Sequence, residues 1–320
     1  MQNLLDPAIL FFVFGLLAGR LRSNLEIPPP IARFLSLYLL MALGLKGGFA
    51  LAQSGLTAEV SISLACALLL AVAVPIIGYG LLKQVVNRFD AAALAATYGS
   101  VSAVTFITAV QFLDNRGLPY GGHMAAAMAL MESPAIIMAV LLANLARQRE
   151  SGSMRRPPMK HILHESLTDG AQLLLLGSMA VGLLTGESGK EAMQPFTGDL
   201  FKGMLAFFLL DMGLMAARNM DELKGKSPWL LAYGLLGPLV HATLALGLCW
   251  LAGIEAGNTA LLMVLAASAS YIAVPAVVRH AIPEANASLY FGMSLGLTFP
   301  FNILLGIPLY VAVAQRVLGQ

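Results

Sequence analysis

Residues 90–105, DAAALAATYGSVSAVT, and residues 258–273, NTALLMVLAASASYIA, decide how this chain folds. Each opens as an apolar, alanine-rich or leucine-rich helix pattern. Each then runs into small, hydroxyl-bearing residues: Tyr98-Gly99-Ser100-Val101-Ser102 in the first, Ser268-Ala269-Ser270-Tyr271 in the second. Gly and Ser lower the cost of leaving the helix, and Pro275 follows the second cluster. A helix that breaks inside a membrane exposes backbone N–H and C=O groups, which lipid tolerates only where they line a cavity or meet protein. Half-helix N-termini favour anions and freed carbonyls hold cations. The two stretches are therefore expected to form broken helices that cross at the midplane around a site. The plainer alternative is that each Ser bonds its own backbone or permits close packing. The symmetric pairing of the clusters favours a site.

The pairing is part of a longer repeat. At an offset of 168, Ser100 falls on Ser268 and Ser102 on Ser270. LLMALGLKGG at 39–48 aligns with FLLDMGLMAA at 208–217, placing Gly44 on Gly213 at an offset of 169. MALMESPAII at 128–137 aligns with MSLGLTFPFNI at 293–303, placing Pro134 on Pro300 at an offset of 166. Three patches in the same order describe two similar halves, 1–146 and 166–320, joined by the polar stretch 147–165.

Composition sets the solvent. Of 320 residues, 58% are hydrophobic and only 11% charged, and mean hydropathy is +0.79. Soluble domains carry about 25% charged residues, so lipid is the outer solvent. A spanning helix needs about 20 mostly apolar residues. Ten stretches qualify, near 7–21, 31–52, 60–82, 91–112, 121–146, 166–185, 197–217, 228–252, 258–278 and 285–317. The last is long enough to bend. Five spans per half make the second half enter the membrane in the opposite direction, the inverted repeat common among transporters.

Lys and Arg give the orientation. Arg20, Arg22, Arg33, Lys83, Arg88, the linker residues, Arg218, Lys224, Lys226 and Arg279 fall in one set of loops, 14 in all. Four fall in the other set, and Lys46 lies inside a span. The first set is expected to be cytoplasmic, with the 147–165 linker inside and both termini outside. The N-terminal region, with Asp6 and no basic start, reads as a retained membrane helix rather than a cleaved signal.

Ionisable groups inside spans are costly and mark function or pairing. Glu132 sits in MESPA beside Pro134 and reads as a hard-cation ligand, with its repeat counterpart Thr298 supplying a hydroxyl to the ion; the competing readings of Glu132 are a structural ion pair with Lys46 and a protonated acid. Sodium suits it better than a transition metal, because no His/Cys cluster exists in the sequence. Lys46 and Asp211 are nearly repeat-related and are expected to form a structural ion pair. His241 reads as a helix–helix hydrogen bond or a proton relay. Cys66 and Cys249 lie in apolar runs and form neither a CxxC site nor a disulfide framework. A net charge of +2 gives no reason to expect nucleic acid. The sequence has no GxSxG, HExxH or P-loop, so neither a hydrolase nor an ATP-driven pump is expected. No cofactor is implied.

YGSVSAVTFITA at 98–109, MESPAIIMAVLLANL at 131–145, GPLVHATLALGL at 237–248, AASASYIAVPAVVR at 266–279 and LTFPFNILLGIPLYVAVAQ at 297–315 resemble the sodium-dependent bicarbonate transporter family, in a non-cyanobacterial branch. The likeness covers essentially the whole chain. It implies a ten-helix protein of two inverted repeats in the bacterial inner membrane, a homotrimer, sodium symport of bicarbonate by elevator-like movement, and control by a PII-like cytosolic protein. It implies anion binding at Gly99, Ser100, Ser268 and Ser270, with Ala269 inside the second cluster, and sodium binding at Glu132 and Ser102. Glu132 stands where the cyanobacterial members have Asp, and Tyr271 stands at a further Asp position. Ala267 and Ala269 interrupt the second serine run. Other readings are symport of another small carboxylate, cation/proton antiport, and, in a different class, a non-transporting membrane ion sensor.

Overall fold

The computed structural model describes residues 6–55, 57–151 and 170–319. Every regular element among them is helical. In chain order these are α1 (Pro7–Arg20), α2 (Pro29–Ser54), α3 (Ala58–Leu82), α4 (Arg88–Gly99), α5 (Ala103–Asp114) and α6 (Met124–Ser151). Then come α7 (Gly170–Gln194), α8 (Phe201–Asn219), α9 (Pro228–Ala252), α10 (Ala256–Ala267), α11 (Ala273–Ala281) and α12 (Ala287–Leu318). Among the described residues six helical stretches are long and apolar enough to cross a membrane, and α1 and α10 are shorter apolar helices. The exposed Leu, Ile, Phe and Trp side chains on this surface suit lipid contact.

Local chemistry starts the helices. Asp6 caps α1 by accepting from the Ala8 N–H at 2.9 Å, and Pro7 takes the first turn, where its missing N–H costs nothing. Asn87 caps α4, accepting from the N–H groups of Phe89 and Asp90. Ser102 caps α5, accepting from the Thr105 N–H at 3.2 Å. The two stretches 90–105 and 258–273 are each interrupted: α4 and α5 are separated by residues 100–102, and α10 and α11 by residues 268–272. Gly186, at φ 55°, kinks α7. In α12 the turns widen to π-helix over Gly292–Thr298 and Asn302–Gly306, around Pro300 and Pro308, which supply no backbone donor.

Two helix pairs pack backbone to backbone. On α1 and α8, a Cβ added at Gly15 would strike the Leu210 carbonyl, and one at Gly213 would strike that of Phe12. On α2 and α7, a Cβ at Gly48 would strike the Met179 carbonyl, and one at Gly182 would come within 2.6 Å of the Leu45 carbonyl oxygen. Glycine here allows the close approach that membrane helices use when no hydrophobic drive separates protein from lipid. With α2 also touching α8, these four helices form one body. In the other, α3 packs on α4 and α6, and α9 packs on α10, which in turn lies against the end of α12.

One end of this second body has its own apolar cluster, built from Leu82, the alanines of α4, Val274, Val278 and Met293. Helix α6 runs to Ser151, past the expected span end at 146. Arg147 holds that end, donating to both Glu284 carboxylate oxygens at 2.9 and 2.7 Å and to the Ala281 carbonyl at 2.8 Å. Residues 152–165 of the expected linker lie outside the described residues.

The ion pair expected between Lys46 and Asp211 is replaced by Lys46–Asp114, at 3.3 Å. Helical rise is the reason. Lys46 Nζ sits 4.4 Å from the ring centroid of Phe201, the first residue of α8. Asp211 lies ten residues further along the same helix, about 15 Å away at 1.5 Å per residue. Asp114, at the end of α5, is level with the lysine and also accepts from Tyr120 Oη at 2.8 Å.

Candidate functional site

The two breaks are joined directly. At the end of α4 the helix has released the Thr97 carbonyl, and the Ser270 N–H of the other break donates to it at 2.8 Å. Ser268 Oγ accepts from the Ser102 N–H at 2.9 Å and donates to the Leu265 carbonyl at 2.8 Å. Asn302 of α12 covers another freed end, donating to the Ala267 carbonyl at 2.8 Å, and is itself held by Tyr310 at 3.0 Å. The exposed ends that a break creates are thus largely answered by the opposite break and by α12.

What remains open faces one cavity of about 210 Å³. Val101–Val104 line it from the first break and Ser270–Ala273 from the second. Glu132 of α6, Gln172 of α7, Ser36 of α2 and Phe208 of α8 complete its wall. The N-termini of α5 and α11 therefore open on the same space. Among the described residues, the N–H groups of Ala103, Val104 and Ala273 have no acceptor. Such groups, with the partial positive charge of a helix N-terminus, are an anion-binding arrangement.

Two side chains reinforce them. Ser270 Oγ caps α11 by accepting from the Val274 N–H at 3.2 Å. Ser102 Oγ accepts from both the N–H and the hydroxyl of Thr105, the latter at 2.9 Å. Its own proton is directed to the hydroxyl oxygen of Tyr271, so Ser102 holds the first break to the second.

Glu132 is half-buried at the same cavity. Gln172, 6% exposed, donates from Nε2 to Glu132 Oε2 at 2.8 Å. Glu132 supplies the anionic oxygen that a hard cation prefers. The site thus places a carboxylate and two helix N-termini on one space, able to take a cation and an anion together.

Of the residues singled out from sequence, the cavity brings together Ser102, Ser270 and Glu132. Ser268 is a splint between the breaks rather than part of the wall. Gly99 lies against Pro75 of α3, where an added Cβ would be 2.6 Å from the proline ring. Ser100 is 1% exposed, its Oγ without a partner among the described residues, and it does not line the cavity. Ala269 packs in the apolar cluster that includes Val274 and Val278.

Thr298 is elsewhere. Its hydroxyl donates to the Gly234 carbonyl at 2.7 Å and lies 2.6 Å from Tyr98 Oη. Gly234 is free to accept because Pro238, four residues on, has no N–H. Thr298 therefore repairs a proline defect in α9. His241 is 2% exposed, with Nδ1 unpaired among the described residues and its ring 6.2 Å from that of Tyr233.

Sequence reasoning missed Gln172 and the N–H groups at 103, 104 and 273. Gln172 was visible as an uncharged polar residue inside a span. The N–H groups had a signal too: Ser102 three residues before Thr105 is a helix-capping spacing, which marks where the second half-helix begins. Among the described residues no group of three or more His, Cys, Asp or Glu could hold a transition metal.

No curated protein matches the chain. A family model described as the Na+-dependent bicarbonate transporter superfamily matches residues 7–315.

Proposed function

Because the chain belongs to the Na+-dependent bicarbonate transporter superfamily, we propose that it is a secondary active transporter that brings bicarbonate into the cell together with sodium. The observation that carries this is the single cavity on which two helix N-termini and the Glu132 carboxylate converge. Sodium binds Glu132. The anion binds the N–H groups of Ala103, Val104 and Ala273, with a hydroxyl proton from Ser270.

Coupling follows from charge. An anion placed beside an ionised carboxylate is repelled, strongly so where water is sparse. A cation on Glu132 removes that repulsion and adds attraction, so each ligand favours the other. The cavity, about 210 Å³, is well above the roughly 10–15 Å³ that admits one water. That is room for a small anion, a sodium ion and a few waters. Among the described residues no Arg lines the cavity to clamp a larger carboxylate.

The proposed architecture is ten crossings in two inverted five-helix repeats. Exchange between the halves supports it: α1 packs on α8 and α2 on α7, so the first helix of each half meets the second of the other through glycine. With basic loops inside, Ser36 and Gln172 lie toward the cytoplasmic ends of α2 and α7, and the cavity faces inward. Movement of the α3–α6 and α9–α12 body against the α1, α2, α7, α8 body would carry the site outward as an elevator. A homotrimer in the bacterial inner membrane under a PII-like regulator completes the proposal, on the family resemblance alone.

The test is uptake of labelled bicarbonate into proteoliposomes at alkaline pH, with and without an inward sodium gradient. Sodium-dependent accumulation is expected. A folded protein that accumulates no bicarbonate, or accumulates it equally without sodium, overturns the reading.

A further inference from the structure

We infer that the Tyr271 hydroxyl is a further anion-binding group, a donor that turns from a weak sulfur acceptor to an oxygen of the substrate. This rests on the reading of the 210 Å³ cavity as the bicarbonate site. Tyr271 lies in the second break, two residues before α11. It lines the cavity although it is only 5% exposed. Its ring packs edge-on against Phe299 of α12, with centroids 5.3 Å apart and planes at 67°. The ring is therefore fixed, and the freedom that remains is rotation of the hydroxyl proton.

That hydroxyl is bracketed by the cavity wall. It accepts from Ser102 of the first break, itself a wall residue. It donates to Met212 Sδ on α8 at 3.5 Å. Met212 stands one turn beyond Phe208, which lines the same cavity.

The two bonds are unequal. A hydroxyl is a good donor, but a thioether sulfur is a weak acceptor. An anionic oxygen forms a charge-assisted bond roughly twice as strong as a neutral one. An anion held at the N-termini of α5 and α11 therefore outcompetes the sulfur for the Tyr271 proton. Rotation about the C–O bond is enough to redirect it. Neither the ring nor the bond from Ser102 has to move. The sulfur gives the buried hydroxyl a partner that costs little to leave. The phenol is also neutral, so it adds a donor to the site without adding charge of either sign.

The test measures uptake of labelled bicarbonate into proteoliposomes carrying the full-length protein. The bicarbonate constant is taken at saturating sodium, and the sodium constant at saturating bicarbonate. Tyr271→Phe keeps the ring and its contact with Phe299 and removes only the donor. Its apparent bicarbonate constant is expected to rise about five- to tenfold, as for loss of one hydrogen bond to a charged group. Its sodium constant should stay at the wild-type value. Met212→Leu removes the sulfur but leaves the hydroxyl. Its bicarbonate constant is expected to lie at or below that of wild type. A hydroxyl that only fastened the second break to α8 would make both variants weaker.

An unchanged bicarbonate constant in Tyr271→Phe, or a raised one in Met212→Leu, overturns the inference and leaves the bicarbonate site standing. Equal rises in the bicarbonate and sodium constants of Tyr271→Phe likewise overturn it, because they report a disturbed site rather than a lost donor. Wild-type protein without sodium-dependent bicarbonate uptake removes the site's reading and the inference together.

Discussion

At the residue scale, each polar group near the breaks is identified by what it bonds. Ser268 is spent on both sides, by the Ser102 N–H and the Leu265 carbonyl. Ser102 is engaged by Thr105 and Tyr271, whereas Ser270, whose oxygen accepts from the Val274 N–H, keeps its proton for the cavity. Ser270→Ala is therefore expected to raise the apparent bicarbonate constant several-fold with the maximal rate less affected, measured by uptake at saturating sodium. Glu132→Gln should abolish sodium stimulation in well-folded protein. Thr298 separates a repair role from an ion role. Thr298→Val leaves the Gly234 carbonyl without its donor and is expected to cost about 1–3 kcal/mol of stability. It should lower the melting temperature while the sodium constant of the surviving protein stays at the wild-type value. A changed sodium constant would restore Thr298 to the site.

At the scale of elements, helix pairs depend on what is absent from their contact faces. Gly48 is pressed against the Met179 carbonyl, so Gly48→Val must push α2 from α7. Overpacking costs typically about 1–3 kcal/mol, and more where backbone stands in the way. Loss of folded protein in size-exclusion chromatography is the expected outcome. Gly99→Ala is a milder form of the same problem, because the obstacle is the Pro75 ring on α3 rather than a carbonyl. It should shift α4 and lower stability without abolishing assembly.

At the scale of the molecule, α6 and α11 carry site residues at one level and are tied together again beyond it. Arg147 at the end of α6 grips Glu284, which follows α11. The guanidinium's hydrogen bonds hold the Glu284 carboxyl below the ordinary carboxylate range. A depressed carboxylate contributes stability that is fully present above its unfolded value, about 4.3, and lost as pH falls through its folded value. The melting temperature of wild type should therefore exceed that of Glu284→Gln at pH 7, and the difference should shrink as pH is lowered below about 4. A difference independent of pH would show that the carboxylate's charge is not what Arg147 uses. The pair is partly exposed, so the effect is small and weakens with salt.

Much of this organisation was legible in the amino-acid order. Apolar run length requires lipid, because backbone polar groups must be satisfied within each helix and 11% charge cannot cover a water-facing surface. The two clusters of Gly, Ser and Ala announced the breaks, since propensity acts locally. Glu132 stood out because a carboxylate in an apolar span needs a reason. Which side of each break faces the cavity was not legible. The sequence pointed to 99, 100, 102 and 268–270, and of these Ser102 and Ser270 line the wall, which is made by 101–104 and 270–273. A hydroxyl's direction depends on the rotation of its helix and on what the opposite break offers. The partner of Lys46 was equally hidden, because repeat alignment relates positions by symmetry and not by height along a neighbouring helix. Only tertiary structure brought Gln172 to Glu132, forty residues apart on separate helices. Such a contact is set by how two helices dock, and no pattern within either one encodes it.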